Sequence, residues 1–90
     1  MGIALIKIKL MPTSPDVDLN AIKTASEKVI KKGSGDKISF AEEPIAFGLK
    51  AVIVGFALDE NKELEPIENG LKKIADVNSV QVVDMRRAFG

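Results

Sequence analysis

The sequence predicts an α+β fold, a four-stranded antiparallel sheet carrying two helices on one face, in the order β-α-β-β-α-β. Three observations predict it. Apolar and polar residues alternate near both ends of the chain, two internal stretches place apolar residues at helical spacing, and Leu49 to Leu58 is almost wholly apolar, as in a strand with neighbours on both edges. A chain of 90 residues hides only about 60–65% of the surface its unfolded form exposes, so one modest core and a single domain over residues 1–90 are expected.

In the first strand, Ile3 to Met11, the residues Ala4, Ile6, Ile8 and Leu10 share one face while Lys7 and Lys9 take the other. Pro12, Ser14 and Pro15 end it, and Asp16 and Asp18 offer capping oxygens to a helix that follows. In that helix, Asp18 to Lys32, an apolar stripe runs through Ile22, Ala25, Ser26, Val29 and Ile30. Lys31 and Lys32 suit the negative end of the helix dipole, and Gly33 is expected to take the left-handed conformation of a C-terminal cap.

Lys37 to Glu43 alternates through Ile38 and Phe40 as a second strand, and Leu49 to Leu58 is the third. Between them Pro44 cannot donate to a ladder and Gly48 tolerates positive φ, so the segment from Glu43 to Gly48 is a bend. Leu64, Ile67, Leu71, Ile74 and Ala75 define a second helix, Leu64 to Ala75, with Pro66 accommodated in its first turn. Gly70 inside that helix costs about 1 kcal/mol relative to Ala, which points to close packing against a neighbour. Val77-Asn78-Ser79 then leads into a last strand, Val80 to Arg86. The simplest arrangement of these elements is the ferredoxin-like sandwich with strand order four-one-three-two, which puts the apolar third strand in the centre.

The residue inventory narrows the chemistry. No His, Cys, Tyr or Trp is present, so the commonest general base, the thiol nucleophile and the phenol are missing, and no covalent catalysis is expected. None of the serines lies in a nucleophile-elbow pattern. Without Cys there is neither a disulfide nor a thiolate metal site, and a cytoplasmic protein fits best. Glu42 and Glu43 are adjacent on a strand and point to opposite faces, so they read as a solvated strand end and not as a Mg²⁺ site. The segment from Asp59 to Glu63 lacks the Gly and terminal Glu of a calcium loop, and Gly33-Ser34-Gly35 lacks the strand and helix of a phosphate loop. No metal or cofactor is expected. Thirteen Lys and Arg balance thirteen Asp and Glu, which argues against nucleic-acid binding; the N-terminal segment mixes in Lys too early for a signal peptide or a membrane span, and Ile6 stands where a lipid-anchor motif on Gly2 wants Ser or Thr.

Two places remain as contact sites. Phe47 sits on the bend between Pro44 and Gly48, where its ring either protrudes as an aromatic anchor or folds back on the sheet end. Arg86 and Arg87 close the last strand, before a tail, Ala88-Phe89-Gly90, that is ordered only against something else; they either contact carboxylates or phosphates of a partner or solubilise that end.

The run Glu42-Glu43-Pro44-Ile45-Ala46-Phe47-Gly48-Leu49-Lys50, preceded by Lys9-Leu10-Met11-Pro12 and Pro15-Asp16-Val17-Asp18-Leu19, resembles archaeal elongation factor 1-beta. So does the ending from Val80 to Arg87, and the resemblance spans nearly all of the chain. It implies a ferredoxin-like guanine-nucleotide exchange factor in translation elongation, whose partner is elongation factor 1-alpha, the GTPase that carries aminoacyl-tRNA to the ribosome. In the eukaryotic relatives an aromatic residue before the Gly of the matching turn inserts beside the GTPase switch region, and a basic residue near the C-terminus disturbs the magnesium site. The aromatic carries over to Phe47, with Gly48 and Lys50 also matching. The eukaryotic Lys falls at or beyond Gly90, so Arg86 and Arg87 replace it by chemistry only. The implied contact set is Pro44, Ile45, Phe47, Gly48, Lys50, Arg86 and Arg87. In this topology the Phe47 turn and the C-terminus leave opposite ends of the sheet, so one tip cannot hold both. The alternative reading is a small-molecule-sensing regulatory module of the same fold.

Overall fold

A computed structural model describes residues 2–88. Its elements follow the expected order: β1 (Ile3–Pro12), α1 (Leu19–Lys32), β2 (Asp36–Pro44), β3 (Lys50–Asp59), α2 (Glu65–Lys72) and β4 (Val77–Ala88). The strands form one antiparallel sheet in the order β2-β3-β1-β4, the ferredoxin-like arrangement. Pairing of β1 with β3 runs from Ile3 opposite Asp59 to Leu10 opposite Val52, so the two most apolar strands occupy the centre.

Alternation sorts their side chains. Ile6, Ile8 and Leu10 of β1 and Val52, Val54, Phe56 and Leu58 of β3 are buried against Ile22 and Ile30 of α1 and Ile67 and Leu71 of α2. Each such side chain contributes roughly 1.5–3 kcal/mol on leaving water. Ser26, the polar member of the α1 stripe, is fully buried, and its hydroxyl donates to the Ile22 carbonyl at 2.7 Å, so no bonding capacity is stranded. Among the described residues the opposite face of the sheet carries no helix.

Several boundaries shift from the expected ones. Asp18 is the N-cap of α1, its carboxylate accepting from the Asn20 amide at 3.0 Å, and the helix proper begins at Leu19. The left-handed position after α1 is Ser34 (φ 73°), whereas Gly33 keeps φ −85°. What Gly33 provides is space, because a Cβ there would overlap the Ile67 side chain. Helix α2 stops at Lys72: Lys73 donates to the Gly70 carbonyl and Ile74 to that of Leu71, three-residue spacings that tighten the last turn before Asp76 enters the left-handed region at φ 67°. Ile74 still packs on the core, which is why the apolar period runs past the helix end. Strand β4 begins at Val77, not Val80, and continues to Ala88, with a register shift where Asn78 is passed over. As an edge strand it tolerates the turn-forming Asn78 and Ser79. Pro12 and Pro44 end β1 and β2 as paired residues opposite Val77 and Lys50, β2 also begins one residue early at Asp36, and β3 is shifted one residue along, Lys50–Asp59 in place of Leu49 to Leu58.

The close approach expected at Gly70 is present, since a Cβ on it would lie 2.6 Å from Cγ1 of Val29 on α1. Gly70→Ala should therefore destabilise the fold by about 1–3 kcal/mol despite its better helix propensity, and the loss should shrink when combined with Val29→Ala. Urea denaturation of the two single variants and the double variant checks this.

Candidate functional site: the turn between the second and third strands

The β2–β3 connection is a tight turn closed from both sides. The Ile45 amide donates to the Leu49 carbonyl at 2.7 Å, and the Leu49 amide donates to the Ala46 carbonyl at 3.3 Å. Within it Phe47 has φ 62° and ψ 32°, and Gly48 has φ 77°, so both central residues are left-handed, as in a type I′ hairpin turn. Such turns favour Asn-Gly. A bulky side chain at the first left-handed position costs on the order of 1 kcal/mol, which the local hydrogen bonds do not relieve.

Among the described residues that strained residue is also the most exposed of the large apolar side chains. The Phe47 ring is 95% accessible, so of the two possibilities left by the sequence it protrudes. Pro44, Gly48 and Lys50 are exposed around it and Ile45 is half-buried beneath. The loop from Pro12 to Asp18 supports one flank, with a Cβ at Gly48 falling 3.9 Å from Pro15, and a cleft of about 200 Å³ lies between that loop and the hairpin, bordered by Glu42 and Lys50.

An ion pair ties the hairpin to α1. Lys23 reaches Glu42 at 2.7 Å, with both side chains partly shielded from solvent. The hydrogen bond from Lys23, then its positive charge, hold the Glu42 carboxyl below its ordinary value of 4.5; partial burial opposes this and Lys50 adds to it. Glu43 turns to the other face, 3.9 Å from Lys9, so the two carboxylates diverge as the alternation required. The Lys23–Glu42 pair joins residues 19 apart in sequence and left no local signal.

Arg86 and Arg87 stand elsewhere. Leu5 pairs with Arg86 and Ala4 with Arg87, at the end of the sheet where Ile3 meets Asp59, whereas the turn leaves from the end where Leu10 meets Val52. The seven residue steps of β3 between those ends span about 23 Å at roughly 3.3 Å per residue. Arg86 contacts Asp84 at 3.1 Å and Arg87 contacts Glu60 at 2.6 Å, both remaining largely exposed. Ala88 continues β4 and so does not belong to a loose tail; Phe89 and Gly90 lie outside the described residues. The structure thus brings Pro44, Ile45, Phe47, Gly48 and Lys50 together and keeps the two arginines apart from them. Among the described residues no helix is long and apolar enough to cross a membrane.

The family model of the EF-1 guanine nucleotide exchange domain matches residues 5–88. The chain belongs to this family. Elongation factor 1-beta of Methanosarcina barkeri is 46% identical over 88 residues, covering 97% of this chain and 99% of the relative. That of Methanocaldococcus jannaschii is 38% identical over 89 residues, covering 98% and 100%. Among solved structures, LarC2, the C-terminal domain of a cyclometallase involved in synthesis of the NPN cofactor of lactate racemase, aligns with a TM-score of 0.66 at 9% identity. The alignment covers 96% of this chain and 56% of LarC2 and supports the shared fold alone.

Two stability measurements probe this site. Phe47→Asn should stabilise the protein by about 1 kcal/mol, because Asn accepts the left-handed conformation that Phe resists. Glu42→Gln should be less stable than the wild type at neutral pH. The Glu42 carboxyl is held low in the folded state, so its contribution is fully present above 4.5 and is lost as pH falls through the lower folded value; the two proteins should converge in acid. Chemical denaturation across pH 3 to 7 measures both effects, at an interval chosen to span the carboxylate range of roughly 4.

Proposed function

We propose that this exchange domain, acting as a single unit over residues 1–90, promotes GDP release and GTP reloading on elongation factor 1-alpha, with Phe47 as its principal anchor. The observation that carries the reading is the pairing of backbone strain with near-complete exposure at Phe47 in a chain of the EF-1 exchange family. A residue that raises the energy of the free protein and packs against nothing in it gains its value from a partner.

The action is displacement and no covalent bond changes. A protein that binds the nucleotide-free GTPase more tightly than the GDP-bound form lowers GDP affinity by the same factor, and GTP then reloads by mass action. Burying one Phe ring is worth about 1.5–3 kcal/mol, which corresponds to roughly ten- to hundredfold in that differential affinity. Pro44, Ile45, Gly48 and Lys50 surround the ring and would meet the same partner surface. Arg86 and Arg87, at the far end of a molecule 42 Å long, would make a separate contact, so an interface including both must run along the sheet.

The test is release of labelled GDP from elongation factor 1-alpha with catalytic amounts of the protein. The wild type should accelerate release, Phe47→Ala should lose tenfold or more of the stimulation with an unchanged fold, and Arg86→Ala and Arg87→Ala should lose less. Phe47→Asn should be the more stable protein and nearly inactive. Release that does not respond to saturating wild-type protein would refute the exchange reading, and full activity of Phe47→Ala would remove the anchor.

A further inference from the structure

The helix-free face of the sheet carries a shallow groove of about 310 Å³, and Arg86 is the one member of its lining to which the exchange reading gives a role. Two rungs of the sheet build it. One runs Ser39, Gly55, Lys7, Asp84 across the four strands, and the next runs through Ala57, Leu5 and Arg86. Gly55 stands in the middle of the central strand β3, where glycine weakens a sheet and leaves an unfilled place on its surface. A Cβ there would point at the Ser39 hydroxyl, 3.0 Å away, and lie 3.8 Å from Cγ of Lys7, so the vacant space opens on this face.

A second observation points at the same groove. Lys37, on its wall, has φ 52° at the register shift of β2 between Asp36 and Ser39, and its amide is held by the Asp36 carboxylate at 2.7 Å. Bulges of this kind re-aim side chains and are frequent beside binding sites, and a left-handed Lys is costly where nothing requires it. The charges are unbalanced as well. Asp84 lies opposite Lys7 in register but contacts Arg86, and among the described residues neither Lys7 nor Lys37 makes an ion pair. In the groove's lining three cations thus face one carboxylate, Asp84, with the Asp36 carboxylate beside them on the Lys37 amide and Leu5 45% exposed at the edge.

We propose that this groove binds an extended acidic peptide segment of a partner protein, its carboxylates held by Lys7, Lys37 and Arg86 and one apolar side chain seated over Gly55 against Leu5. The cations stretch from β2 to β4, three strand spacings or about 14 Å, which exceeds a single carboxylate or phosphate and matches about four residues of extended chain. Single-stranded RNA fits the site poorly, because base recognition relies on aromatic stacking and Phe40 and Phe56 both pack into the core on the other face. The proposal shares Arg86 with the exchange reading, but its test uses the protein alone with a peptide, so either can fail without the other.

The test is a titration of the isotope-labelled protein with a blocked synthetic peptide of glutamates around a central leucine, followed by amide NMR shifts. Shifts should cluster at Leu5, Lys7, Lys37, Ser39 and Gly55, weaken with added salt, and be absent with the glutamine analogue of the peptide. Lys37→Glu and Gly55→Val should each weaken binding about fivefold or more. Val suits a central strand and Ser39 can rotate away, so Gly55→Val should fold; Lys37→Glu leaves the core untouched, and melting curves verify both. No shifts at millimolar peptide, affinity unchanged in both variants, or equal binding of oligouridylate would each overturn the proposal.

Discussion

The antiparallel pairing of β1 with β3 sets the geometry on which everything else rests. It buries one face of both strands beneath the helices and, by fixing Leu10 opposite Val52 and Ile3 opposite Asp59, decides which loops share an end of the molecule. A slip of one residue would turn Ile6, Ile8 and Leu10 to the helix-free face and Lys7 and Lys9 into the core, so the register is held by the whole apolar set. The separation of Phe47 from Arg86 and Arg87 follows from it. No side-chain rearrangement can bring those groups together while the central pair stays intact.

At the turn a different balance operates. The hairpin needs two left-handed residues, and Gly48 supplies one at little cost while Phe47 supplies the other against its preference. The strain is small beside the energy of the core, and the closure bonds at Ile45 and Leu49 keep the turn formed. Its consequence is orientation: a type I′ turn follows the right-handed twist of its strands and carries the ring outward on a narrow backbone. The Lys23–Glu42 pair braces the same hairpin against α1 from below.

Much of this was legible in the sequence, and the reasons differ by feature. The buried face followed from alternation, because Ala4, Ile6, Ile8 and Leu10 leave a single reasonable face for the core, and the strand order from the β-α-β-β-α-β arrangement with its most apolar strand in the centre. The bend at Phe47 followed from Pro44 and Gly48. The direction of its ring did not, because the left-handed conformation of Phe47 arises from strand register on either side and not from its own preference. Ends of elements were read less well where turn-forming residues sit in an edge strand, as Asn78 and Ser79 do, or where an apolar period outlasts the helix, as at Ile74. The groove was hidden for another reason. Gly55 reads as an ordinary member of an apolar strand until register sets it beside Ser39 and Lys7, and the positive φ of Lys37 has no counterpart in its residue type.

The inventory of ionisable groups has one more physical consequence. With no His and no Cys, no side chain of ordinary pKa changes charge between the carboxylates near 4 and the lysines near 10, an interval of about six pH units. Glu42, the side chain most clearly perturbed, is displaced downward and so lies farther from neutrality than it would unpaired. The chain therefore brings to the surroundings of Phe47 no side chain whose ordinary pKa lies near neutrality. A contact made here by packing one ring draws any pH sensitivity near neutrality from the groups that the partner brings.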